Sequence, residues 1–225
     1  MSVARSLLFY LAFYAGSALF VLSAVVVSAM APSHARAIPD AWSRFHRRCL
    51  RLLGIRVEVR GERLATPALY ALKHESFFEA IDLPMLLDYP VPLAKQELFA
   101  IPGWGRAARA YGAIAVARSE GARALRTMVA EARKVAADGR PLAIFPEGTR
   151  VPHGTRPQLQ AGFAGLYKVL GMPVVPVAVN SGPLYHRWWK RPGTIVIQFG
   201  DPVEPGLPRA EIEARVHAAI NALNA

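Results

Sequence analysis

Cysteine occurs once in the 225 residues, at Cys49. A lone thiol excludes an intrachain disulfide and suits a reducing compartment, and on the apolar side of a helix it reads as core rather than nucleophile. Acidic residues are scarce as well, with 16 Asp and Glu against 27 Lys and Arg and a net charge of +11. That imbalance asks for an anionic partner. The cations nevertheless form no lysine-rich tract, and neither zinc-finger spacing nor an RNA-binding aromatic signature is present, so the reading is no nucleic acid. No Gly-x-Ser-x-Gly occurs, which removes the serine-hydrolase nucleophile. Gly103-Trp-Gly-Arg-Ala-Ala108 fits a dinucleotide fingerprint in letters only, because no clear strand leads into it. Internal repeats and low-complexity linkers are absent too.

Charge is missing altogether from residues 7–30, which are mostly Leu, Ala, Val and Phe. As a helix this stretch would be about 36 Å long, enough for a hydrocarbon core of about 30 Å. A cleaved signal peptide has a shorter apolar region and a basic leader. Here only Arg5 precedes the run, although Ala29, Ala31 and Ala35 leave a cleavage site open. Arg36, Arg44, Arg47, Arg48 and Arg51 crowd the far flank. The positive-inside bias then puts the following domain on the cytoplasmic face of the cell inner membrane. Gly16 offers a place for the run to bend back within one leaflet, the alternative to a full span. Between residues 41 and 53, Trp42, Phe45, Cys49, Leu52 and Leu53 recur at helical spacing with arginines between them. That is a basic amphipathic helix suited to an anionic membrane surface, although a surface helix packed on the domain shows the same pattern. Trp188 and Trp189, set among His186, Arg187, Lys190 and Arg191, form either a second membrane contact or a partly packed loop.

After Gly54, short β-branched or apolar runs alternate with helical stretches. Strands are expected at residues 55–60, 68–73, 91–94, 113–117, 142–145, 174–179 and 194–199, and helices at 77–87, 104–111, 121–137, 159–170 and 209–223. Alternation of this kind predicts an α/β fold: a single domain with a central, mostly parallel β-sheet flanked by helices, preceded by an N-terminal membrane-embedded helix. Residues 1–53 form the anchor and interfacial helix, and residues 54–225 the cytoplasmic domain.

Two segments carry chemistry. In Lys73-His-Glu-Ser-Phe-Phe-Glu79 a strand ends and a helix begins, which places His74 at the carboxyl edge where active sites of open α/β sheets collect. Histidine is the side chain suited to accept a proton near neutrality. Glu79, five positions on, can fold back to fix the imidazole's tautomer, because His74 precedes the helix. Ser76 and Glu79 also fit a capping box, and Asp82, one turn further, competes for the role of orienting acid. In Phe145-Pro-Glu-Gly-Thr-Arg150, Gly148 is free to take a positive φ, and the turn can present Thr149, backbone N–H groups and Arg150 to one anion.

Together these segments resemble the glycerophospholipid acyltransferase family, of the 1-acylglycerol-3-phosphate (lysophosphatidic acid) acyltransferase type. Lys95-Gln-Glu-Leu98, with Pro102, Gly105 and Gly112-Ala-Ile-Ala-Val-Ala-Arg118, is similar to the family's second block, and Val174-Val-Pro-Val-Ala-Val179 to its fourth. The blocks occur in the family's order across residues 73–182. The resemblance implies that His74 is the general base and Glu79 its orienting acid. It further implies that Arg118 and Arg150, with Lys95, hold the acceptor's phosphate, while Glu147 and Gly148 shape the acceptor pocket, and Thr149 joins them as a substrate-binding residue. Two positions depart from the pattern: Glu79 stands where Asp is usual, and Lys73 where Asn is usual.

The implied reaction transfers a fatty acyl group from acyl-CoA or acyl-carrier protein to the free hydroxyl of a lysophospholipid acceptor, 1-acylglycerol-3-phosphate, giving phosphatidic acid. A thioester is already activated, so no cofactor, metal or covalent enzyme intermediate is called for. The rival readings are transfer to another lyso-lipid, such as a lyso-aminolipid, and a non-catalytic lipid-binding protein on the same fold.

Overall fold

The hydrophobic pattern changes at Gly54, and the chain changes course there. In the computed structural model, which describes residues 2–31, 34, 36–116 and 121–224, Gly54 adopts φ 73° and its N–H closes on the carbonyls of Leu50 and Arg51. That left-handed cap ends helix α2 (Ala37–Leu53) and releases the chain directly into strand β1 (Ile55–Arg60). Glycine takes the conformation without the Cβ penalty other residues incur.

The strands β2 (Leu69–Leu72), β3 (Val91–Lys95), β4 (Ile114–Val116), β5 (Leu142–Ile144), β6 (Val174–Val179) and β7 (Gly193–Phe199) join β1 in a seven-stranded sheet of order β1-β7-β6-β2-β5-β3-β4. The neighbours β6, β2, β5, β3 and β4 run parallel; β7 is antiparallel to β6, and β1 parallel to β7. All residues of β2 and β6 are buried, the signature of strands covered on both faces. Pro176 pairs with Ala71 of β2, while the antiparallel ladder to β7 starts one residue later at Val177. A proline, lacking an N–H, fits an interior strand at such a point.

Side-chain alternation along β2 and β6 divides the interior into two cores. Tyr70, Leu72, Val175, Val177 and Val179 pack with Phe9, Leu50 and Phe78, from helices α1 (Ser2–Met30), α2 and α3 (Phe78–Leu86). Leu69, Ala71 and Val174 pack with Met128, Phe163 and Val216, from α5 (Gly121–Ala137), α6 (Ala161–Leu170) and α8 (Arg209–Ile220). Cys49 is free and buried in the first core. Helix α4 (Trp104–Tyr111) sits beyond β3, and a short helix α7 (Gly182–Tyr185) follows β6. Neither α7 nor the 3-10 turn at Gln96–Ala100 was expected, because each is too short to show a hydrophobic period.

Helix α1 has two apolar faces. One carries the buried Ser6, Phe9 and Phe13 against the domain. The other exposes Leu7, Leu8, Leu11, Tyr14, Leu19, Leu22, Val26 and Met30. It is the one helix among the described residues long and apolar enough to cross a membrane. Of the two courses left open at Gly16, the bend does not occur, for α1 runs unbroken through it. A Cβ at Gly16 would lie 2.3 Å from the Phe45 ring, so this glycine serves the close approach of α2.

Candidate active site

Five parallel strands present their carboxyl ends at one edge of the sheet, and most of the singled-out residues follow those ends directly. His74 follows β2, the turn from Phe145 to Arg150 follows β5, and Lys95 closes β3. Arg118 follows β4 in sequence but lies outside the described residues.

The base of the site is Lys73. Its ammonium is fully buried, and its three N–H bonds go to Glu147 Oε1 at 2.6 Å, Asn221 Oδ1 at 2.9 Å and the Thr155 carbonyl at 3.0 Å. A buried ion pair needs such complete pairing to offset the loss of hydration. The departure from the family's usual Asn is thus matched by partners from two distant segments. Glu147 does not face an open pocket, since both of its oxygens are occupied inward. Its Oε2 accepts the His74 backbone N–H at 3.2 Å. Val151 N–H donates to the His74 carbonyl at 2.7 Å, and the Phe145 ring stacks on the imidazole with centroids 4.0 Å apart. The loop after β5 therefore grips His74 by both backbone groups and by its ring.

The imidazole is 15% exposed, and its Nδ1 lies 3.1 Å from Glu79 Oε2. With Nδ1 as the donor, Nε2 keeps its lone pair and can receive a proton. Glu79 is fully buried. Its Oε2 also accepts the Ser76 N–H at 2.9 Å, and Phe78 N–H donates to Ser76 Oγ at 3.1 Å. The N-cap is Phe77, without a side-chain cap bond, rather than the expected Ser76, so the same carboxylate oxygen orients the histidine and ties down the turn that leads into α3. The other oxygen, Oε1, accepts the hydroxyl of Ser181, which sits just beyond β6 and lies 2.7 Å from Ser76 Oγ. Asp82, the competing carboxylate, faces the other way. Arg47 of α2 takes both of its oxygens at 2.7 Å.

A second buried acid borders the site. Glu75 binds His153 Nδ1 at 2.9 Å and the Gly182 N–H at 2.8 Å. Burial pushes its carboxyl above the usual range, against the pull of those two partners. Gly148 takes φ 75° and returns its N–H to the Phe145 carbonyl at 2.9 Å, which closes the turn. Beyond it Thr149 and Arg150 are exposed. The Arg150 guanidinium stands 4.0 Å from the Phe77 ring centroid, a cation–π contact that orients it over the start of α3. Burial and the neighbouring Arg150 and Lys190 push the His186 imidazole down. Lys95 is exposed on the same edge, separated from β2 by β5. An open cavity of about 600 Å³ lies apart from these groups, between Met85, Leu64 and Phe199.

Sequence reasoning missed Ser181, Glu75 with His153, and Asn221. No local signal marks them, because their roles depend on strand order and on where the last helix ends.

The acyltransferase family profile matches residues 56–180. The chain is 32% identical to a 1-acyl-sn-glycerol-3-phosphate acyltransferase of Pseudomonas aeruginosa, over 96% of this chain and 89% of that protein. It is 33% identical to the human lysophospholipid acyltransferase LPCAT4, over 68% of this chain and 30% of that one. Its fold is that of the 1-acyl-sn-glycerophosphate (LPA) acyltransferase PlsC from Thermotoga maritima, with a TM-score of 0.78, 23% identity, and coverage of 100% and 98% of the two chains. With more than half its length inside the family profile and a full-length relative of this kind, the chain belongs to the acyltransferase family.

Proposed function

We propose that the protein transfers a fatty acyl group from a thioester donor, acyl-CoA or acyl-carrier protein, to the free hydroxyl of 1-acylglycerol-3-phosphate. The product is phosphatidic acid, and the reaction belongs to phospholipid biosynthesis. The observation that carries this reading is the His74–Glu79 pair at 3.1 Å, held at the sheet edge beside Arg150 in an acyltransferase-family chain.

In this mechanism His74 Nε2 removes the proton of the acceptor hydroxyl as its oxygen attacks the acyl carbonyl. Glu79 holds the ring and stabilises the imidazolium. The tetrahedral intermediate collapses, the carbon–sulfur bond breaks, and the imidazolium returns its proton to the departing thiolate. General-base assistance of this kind supplies about 10²–10⁴ in rate. Arg150 and Lys95, with Arg118, bind the acceptor's phosphate, and Gly148 and Thr149 shape the turn beneath it. Glu147 acts from behind as the clamp on His74. Fixing the phosphate fixes the hydroxyl beside the base, which adds an orientation effect.

Residues 1–53 hold the chain at the bilayer where acceptor and product reside, and residues 54–225 form the catalytic domain. The arginines after α1 favour the cytoplasmic face of the inner membrane, and the net charge of +11 favours anionic lipid.

Thiol release from a long-chain acyl-CoA or acyl-carrier protein, measured in detergent with and without 1-acylglycerol-3-phosphate, tests the proposal. Acceptor-dependent release is expected. A wider acceptor range has one support, the similarity to a relative named for lysophospholipids generally. Release with other lyso-lipids but not with the phosphate would favour that second reading.

A further inference from the structure

The segment between α7 and β7 has no part in the chemistry above, yet it is built with care. It carries Trp188, 84% exposed, and Trp189, 48% exposed. Two adjacent tryptophans facing water leave a large apolar area uncovered. They are nevertheless not on a loose loop. Lys190 N–H donates to Ser6 Oγ at 3.0 Å, and Tyr10 Oη donates to the Trp188 carbonyl at 2.6 Å. Arg191 N–H donates to the Leu184 carbonyl at 3.0 Å. The Lys190 ammonium folds inward onto the carbonyls of Tyr185 and Arg187 and lies 4.4 Å from the Tyr185 ring centroid. The segment is thereby bolted to the first turns of α1, with its two indoles turned outward.

Two features say what meets those indoles. The anchored turns of α1 expose Leu7, Leu8, Leu11 and Tyr14, so the tryptophans continue an apolar stripe at its N-terminal end. Lys190 is used internally, whereas Arg187 and Arg191 are exposed on either side of the pair. An indole pair flanked by arginines beside an apolar helix face has the composition of a membrane–water boundary, where amphipathic rings sit at headgroup level and cations meet anionic lipid. The position of the segment gives this a consequence. It follows α7, whose first residue Gly182 donates to Glu75 beside His74, so it extends from the same edge of the sheet as the active site.

We propose that Trp188 and Trp189 insert into the headgroup region of an anionic bilayer and set the depth at which the His74 edge meets the membrane. This rests on the acyltransferase reading for its purpose, but the insertion itself does not. Loss of the pair leaves α1 to hold the protein on the membrane while the active-site edge tilts away from lipid-embedded acceptor.

The test separates the two. Full-length protein is reconstituted in phosphatidylcholine–phosphatidylglycerol vesicles carrying phosphatidylcholine brominated near the headgroup or deep in the chain. Tryptophan emission should be quenched more by the shallow bromine, and Trp188→Phe with Trp189→Phe should remove most of that quenching. Trp188→Ala with Trp189→Ala should keep wild-type turnover on acceptor dispersed in detergent. On acceptor embedded in vesicles its turnover should drop about tenfold, as expected for losing two partly buried indoles, and the Phe pair should restore it. Quenching unchanged by the Phe pair overturns the proposal whether or not the protein proves active. So does an emission shift that tracks protein concentration rather than lipid, which assigns the patch to a second copy of the chain. Equal vesicle turnover in the Ala pair overturns the depth-setting role.

Discussion

In the loop that follows β2 the polar groups around His74 are buried, whereas the loop that follows β5 is buried at its base and open at its tip. Lys73, Glu75, Ser76 and Glu79 are all buried, and each has named partners within hydrogen-bond reach. On the β5 loop Glu147 is equally buried, but Thr149 and Arg150, two and three residues on, are exposed. The difference follows from what each part must do. A general base works only at a fixed distance and tautomer, so its supports are sequestered from water and fully paired. A group that captures a charged acceptor must be reachable from outside, and an arginine can wait in solvent at little cost. Glu147 belongs by sequence to the second loop and by structure to the first.

The sharpest break in this comparison is removal of the base. His74→Ala should lower acceptor-dependent thiol release by about 10²–10⁴ while membrane binding and far-UV circular dichroism stay as in the wild type. Turnover near the wild-type rate would sink the assignment. Next in size is Lys73→Met, which strands Glu147 as an unpaired buried charge. It should cost about 3–5 kcal/mol in urea unfolding followed in detergent. Glu147→Leu added to Lys73→Met should recover part of that loss, since no charge is then left unpaired, and only part, because the His74 N–H loses its acceptor. If the double variant is no more stable than the single one, the ion pair is not what closes the site.

Much of this was legible in the sequence, and the reason differs by region. Strand positions could be read because β2 and β6 are continuous apolar runs, and β1 was bounded by Gly54. The His74–Glu79 pairing could be read because both residues lie in one segment, where the reach of a glutamate across five positions can be judged. What could not be read depends on strand order. Ser181 meets Glu79 only because β6 lies beside β2 in the sheet, and Asn221 meets Lys73 only because α8 ends beneath it. The choice between Glu79 and Asp82 also waited on the fold, since Arg47, which claims Asp82, comes from a separate helix. The role of Gly16 stayed open in the sequence for a related reason: a glycine in an apolar helix signals either a bend or a close neighbour, and the neighbour, Phe45, lies on α2.

The open half of the comparison is tested by Arg150→Ala. Hydrogen bonds to a charged group are each worth about 1.5–3 kcal/mol. The acceptor's KM should therefore rise about ten- to a hundredfold with kcat little changed. Arg150→Lys should recover only part of the loss, because a point charge cannot bond two phosphate oxygens at once. An unchanged KM would remove Arg150 from the phosphate site.

The smallest effect expected is at Ser181, and it tests the closed half from its edge. A hydroxyl has one proton to give. If Ser181 gives its proton to Glu79 Oε1, its own oxygen is left to accept from Ser76 at 2.7 Å, so a short chain of hydroxyls ends on the carboxylate that orients the base. Ser181→Ala cuts this chain and leaves Glu79 held through Oε2 and the more distant Ser76 hydroxyl at 3.4 Å. Ser181 touches Glu79 rather than substrate, so its loss should lower kcat about tenfold without moving the acceptor's KM, the reverse of Arg150→Ala. Ser181→Thr keeps the hydroxyl and should restore kcat. A merely structural serine would give neither the split between kcat and KM nor the rescue. A rise in KM would place Ser181 with the open half of the site instead.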